Sequence, residues 1–111
     1  MDGQPVPGQE PDLEELKGRI LKFCNPKQIV LFGSRARGAA PTDSDVDLLV
    51  VWDEKAHLSR SARYMQLTRA IGQVPYGLDL LVYSSEELAL ALAEPHSFAS
   101  KAMKGARILY G

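Results

Sequence analysis

Cys24 is the only cysteine in the 111 residues, so no internal disulfide can form, and neither a CxxC pair nor a Cys/His metal spacing can be built from it. A reducing, cytoplasmic setting is expected. Charge of either sign is not in excess: 13 Lys+Arg stand against 14 Asp+Glu, a formal net charge of -1. Without a surplus of cations to displace counterions, a broad nucleic-acid-binding surface is excluded, and any phosphate must be met locally. No apolar run approaches the roughly 18 residues of a membrane span. The opening MDGQPVPGQEP has neither the basic start nor the apolar stretch of a secretory signal. What is present is ordinary for a folded chain. Hydrophobic residues at 45% and charged residues at 24% predict a packed core, and the length predicts one domain with little room for a second.

The composition divides the chain into a flexible tail, 1–11, rich in Pro and Gly, and a folded domain, 12–111. Asp12 with Glu15 three residues on predicts a helix start. Leu13, Leu16, Ile20, Phe23 and Cys24 share the face that follows, and Asn25-Pro26 ends it. QIVLF (28–32) and VDLLVVW (46–52) read as buried strands. Residues 55–71 read as a helix with Ala62, Met65, Leu67 and Ile71 facing the core. LDLLVY (78–83) is a third strand. A helix follows, capped by Ser84 or Ser85 and closed by Pro95, and the early Glu86 and Glu87 suit its dipole. A last helix over 98–104 precedes a short edge strand or packing segment at Ile108, Leu109 and Tyr110. The predicted class is a single α/β domain with a short mixed sheet covered by helices.

Three aspartates interrupt these apolar strands, where aspartate is depleted. Asp45 and Asp47 stand at positions i and i+2 and so share one sheet face. Asp79 too sits near the beginning of an otherwise apolar strand, the third. If the second and third strands run parallel through the intervening helix, all three fall at one sheet edge. Converging carboxylates are costly unless a cation neutralises them. Mg²⁺ takes hard oxygen ligands, and three carboxylates suffice for two ions clamping a phosphoryl displacement. Gly33 and Ser34 directly follow the first strand. There a glycine lets the backbone approach a phosphate, and the N–H groups of a short helix, with the Ser34 hydroxyl, can cradle it. Arg37, and less strongly Arg35, could add charge-assisted contacts.

The string GSRARGAAPTDSDVDLLVV, a Gly-Ser pair, ten intervening residues and an Asp-x-Asp pair, resembles the signature of the DNA polymerase β-like nucleotidyltransferase superfamily. Chain length makes it similar in particular to the minimal nucleotidyltransferases, and the resemblance covers roughly residues 13–110. It implies that Gly33 and Ser34 bind the phosphates of ATP or another nucleoside triphosphate, and that Asp45, Asp47 and Asp79 bind Mg²⁺. It also implies that Asp79 helps deprotonate an acceptor hydroxyl. Many small members resemble one another further in neutralising a helical HEPN-class ribonuclease toxin by adding AMP to it. The resemblance thus implies a protein partner and a homo- or hetero-oligomer.

Plainer readings stand beside these. Asp43, Asp45, Asp47 and Glu54 match ligand positions of a calcium loop, but Leu48 stands where that loop needs glycine. Lys55, Arg60, Arg63 and Arg69 read as a solvated basic helix face, His57 and His96 as surface residues, and Cys24 as a small buried apolar residue. Two other functions remain: a non-catalytic module that inhibits a partner by contact, and an antibiotic-type transferase acting on a small molecule.

Overall fold

The computed structural model describes residues 11–38 and 45–111. The tail reading falls almost wholly outside these residues, as does the part of the loop at 39–44 that joins Gly-Ser to Asp-x-Asp.

The first helix, α1 (Leu13–Phe23), starts where the sequence places it: the Asp12 carboxylate accepts the Glu15 N–H at 3.0 Å. It buries Leu16 and Ile20. Strand β1 (Gln28–Phe32) runs straight into a four-residue helix, α2 (Gly33–Ala36). Strand β2 (Val46–Val51) returns antiparallel to β1, with Phe32 opposite Asp47. Helix α3 (Arg60–Ile71) then crosses over to β3 (Leu78–Tyr83), which lies parallel to β2. Two more helices, α4 (Ser85–Leu92) and α5 (Phe98–Met103), precede β4 (Arg107–Tyr110), which pairs antiparallel with the outer edge of β1. The sheet order is β3-β2-β1-β4, the mixed sheet expected.

Alternation along the strands divides the interior between the two sheet faces. Ile29, Leu31, Val46, Leu48, Val50, Leu80 and Val82 pack under α1 and α3 with Trp52. Val30, Phe32, Leu49, Val51 and Tyr83 pack under Leu88 of α4 and Ala99 and Ala102 of α5. Asp47 shares the second face with Leu49 and Val51, and Asp79 shares it with Tyr83. Both aspartates sit at the strand starts.

The middle helix differs from expectation. It begins at Arg60 rather than 55, because the Ser59 hydroxyl caps it by accepting the Ala62 N–H at 3.1 Å. Turns closed by Ala56 N–H to Asp53 O and Leu58 N–H to Lys55 O fill the residues before it. Met65, expected to face the core, is exposed, whereas Arg63, expected on the solvated face, is completely buried. Its guanidinium donates to both oxygens of Glu87, at 2.8 and 2.6 Å, and to Leu58 O at 3.2 Å. Phe23 is also half-exposed, its ring set edge-on to Trp52 at 5.6 Å between centroids. His57 and His96 are exposed, and Cys24 is buried, where desolvation above all raises its thiol pKa to about 11.

Candidate active site

The site grows from the register of two parallel strands. Asp47 and Asp79 are direct partners across β2 and β3, so their side chains leave the same face side by side. Their carboxyl groups are near enough for a side-chain hydrogen bond between them to contribute to the acidity of Asp47. Two carboxyl groups can share such a bond only if one carries a proton, since an ionised carboxylate has no donor. Burial, first, and then the hydrogen bond and charge of Asp79, with a further push from Asp45, raise the Asp47 pKa from 3.8 to about 6. Asp45 is exposed and stands just before β2.

Gly33 closes the other side. Its φ of 76° lies in the left-handed region, and a Cβ there would collide with the Asp47 carboxylate. The end of β1 can therefore turn into α2 directly against the aspartate only because residue 33 has no side chain. Ser34, half-buried, follows in the first turn of α2. Arg37 caps the C-terminal end of α2, exposed, with its stem beside Gly105 in the turn before β4. Tyr76, three residues before Asp79, is half-buried and packs against the α1/α3 side of the core.

The structure thus brings Gly33, Asp47 and Asp79 together and sets Ser34 and Asp45 beside them in the chain. A set of hard carboxylate oxygens, one of which is kept less acidic by burial and by its negative neighbours, fits a divalent cation of the Mg²⁺ type. Among the described residues no three His, Cys, Asp or Glu side chains already converge on one ion position. The fit therefore rests on the Asp47–Asp79 pair and on the charge Asp45 adds to it.

Residues 14–110 match the family described as Polymerase beta, Nucleotidyltransferase. The chain belongs to that family. Members of this kind generally use a nucleoside triphosphate and a divalent metal, in keeping with the donor set just described. Among solved structures, this nucleotidyltransferase domain is similar to a protein from Sulfolobus solfataricus whose nucleotidyltransferase role is itself a proposal. The two are 26% identical, with a TM-score of 0.54 over 69% of this chain and 67% of the other. No curated protein matches the chain. No helix among the described residues is long and apolar enough to cross a membrane.

The raised Asp47 pKa sets a pH dependence. Between pH about 4 and about 6 the folded protein holds a proton that the unfolded chain has released, so this group's contribution to stability is full below about 4 and is lost as pH rises through about 6. Thermal melts of the metal-free protein across that window should show the decline. In Asp47→Asn it should be absent, and an unchanged profile in that variant would contradict the assignment.

Proposed function

We propose that this domain transfers a nucleoside monophosphate, AMP from ATP, to a hydroxyl of a protein partner, and that the partner is a HEPN-type ribonuclease toxin which the modification silences. The reading is carried by the Asp47–Asp79 pair, in register across β2 and β3, with Gly33 packed onto Asp47. In the proposed reaction the acceptor oxygen attacks the α-phosphorus, a new P–O bond forms, and the bond to the bridging oxygen breaks to release pyrophosphate. Backbone N–H groups at Gly33 and Ser34 hold the triphosphate, with Arg37 within the same short helix-turn. Asp79 takes the proton of the acceptor hydroxyl as it attacks. Asp45, Asp47 and Asp79 would hold Mg²⁺, whose charge offsets the negative charge of the transferring group.

A pocket of about 330 Å³ lined by Lys27, Gln28, Val51, Ser85, Leu88 and Leu92 lies at the far end of β2 from the aspartates. An acceptor seated there would be too distant from the aspartates to react.

Incubation with α-labelled ATP and Mg²⁺, alone and with candidate HEPN-type proteins, tests the proposal. Label should appear on the partner, released pyrophosphate should match it, and Asp47→Ala should give neither. Inhibition of the partner without label would instead support a contact inhibitor, and label only on small hydroxylated compounds would support an antibiotic-type transferase. Either result overturns the proposal.

A further inference from the structure

Resting on the nucleotidyltransferase reading, we infer that Gly77 is a positioning residue for Asp45: the missing side chain at 77 leaves the space in which the Asp45 carboxylate lies. Glycine at 77 is not demanded by its own backbone. The described glycines with positive φ are Gly33, Gly38, Gly72, Gly105 and Gly111, and Gly77 is not among them. The demand comes from its neighbour. A Cβ at Gly77 would stand 2.7 Å from Cγ of Asp45 and 3.3 Å from its Oδ2, and would collide with Oδ1.

The topology gives this contact its use. Gly77 stands one step before the first pair of the β2–β3 ladder, Val46 with Leu78, and the Val46 N–H donates to Gly77 O at 2.8 Å. Residues 77 and 79 project to the same face of β3, two residues or roughly 6.5 Å apart. By leaning over Gly77, Asp45 occupies the side-chain place that β3 leaves empty there. A carboxylate from β2's leading edge thereby joins the row that Asp79 begins. Asp45 is exposed and lies outside the strand, so burial does not fix its rotamer. Each aspartate of the Asp-x-Asp pair thus rests on a glycine of a different neighbour, Asp47 on Gly33 and Asp45 on Gly77.

The obstacle introduced by Gly77→Ala is relieved most simply by rotation of an exposed side chain, so the variant should fold with a melting temperature close to that of the native protein. Its effect should fall on the metal. Mn²⁺ binding, measured by the paramagnetic signal of the free ion in the presence of a non-hydrolysable ATP analogue, should weaken by at least about tenfold. In the Asp45→Ala background the same substitution should weaken it no further, because the carboxylate it displaces is gone. The crystal structure of metal-free Gly77→Ala should show the Asp45 carboxylate swung away from β3, while Asp47 and Asp79 keep their pairing. Native Mn²⁺ affinity in Gly77→Ala, an additive loss in the double variant, or an unmoved Asp45 in that crystal structure would overturn the inference. If the native protein itself fails to bind Mn²⁺, the functional reading falls, and the metal-free structure still decides whether Gly77 positions Asp45.

Discussion

Asp47→Asn is expected to lower nucleotidyl transfer by at least about a thousandfold, some 4 kcal/mol of transition-state stabilisation, while leaving the protein as stable at neutral pH as the native chain or more so. The two halves of this expectation have one cause. Burial above all, then Asp79 beside it and Asp45 two residues away, disfavours the ionised form of Asp47 and raises its pKa to about 6. An amide keeps the shape that fits against Gly33, removes the repulsion, and can still donate a hydrogen bond to Asp79. The site therefore holds charge at a cost in stability that only a bound cation offsets, the pattern expected where function and stability compete. Transfer assays paired with thermal melts measure both halves. Retained activity would remove Asp47 from the chemistry, and a large fall in melting temperature would show that its carboxylate supports the fold instead.

The largest loss of stability is expected from Glu87→Ala. Arg63 is completely buried, and its charge is met by the two oxygens of Glu87 at 2.8 and 2.6 Å. Removing the carboxylate strands a guanidinium inside the protein. Glu87 also accepts the Ser84 N–H at 2.8 Å, so the side-chain half of the α4 capping box is lost with it, while the bond from the backbone N–H of residue 87 to the Ser84 hydroxyl survives. Breaking one side of a buried pair costs about 3 kcal/mol or somewhat more. Because the Glu87 carboxylate keeps partial contact with solvent, the lower end of that range applies. For a domain of this size that corresponds to a melting temperature lower by roughly 10–20 °C.

The same pair has a signature in acid. The hydrogen bond from Arg63, ahead of the other influences, holds the Glu87 pKa near 2, so its contribution is present above the usual carboxylate range and is lost as pH falls toward 2. This is opposite in sense to Asp47. Denaturation of native and Glu87→Ala proteins at pH 7 and pH 3 separates the two: the difference between them should shrink at the lower pH, and a difference that stays constant would contradict the role given to the carboxylate.

The contrast between Asp47 and Arg63 shows what was legible in the residues alone. Asp47 and Asp79 could be found because a charged residue in a run of Val and Leu violates a local pattern, and a period of two fixes the face it takes. The strands and the parallel crossover could be read for the same reason. Arg63 violated nothing. An arginine on a helix among other cations reads as solvated, and its partner lies in another helix at no characteristic spacing, so no periodicity links them. The error over Met65 has the same origin: once Arg63 takes an inward position beside Leu67, the turn that carries Met65 faces outward. Gly77 has no signal in the residues alone, because the reason for it is a neighbour's side chain, which only the assembled β2–β3 ladder brings near.

The place of β4 has a consequence for how the molecule comes into being. It completes the described sheet by pairing with β1, Val30 beside Ile108 and Leu31 beside Arg107, so a strand made after β2 and β3 must find β1. Loops that long form slowly compared with the neighbouring turns, and until they form, the outer edge of β1 is open to foreign strands. The aspartate edge, by contrast, depends on β1, β2 and β3, all made by Tyr83. Synthesis therefore lays down the chemistry before it seals the sheet, and the interval between the two is when a nascent chain is most exposed to mispairing.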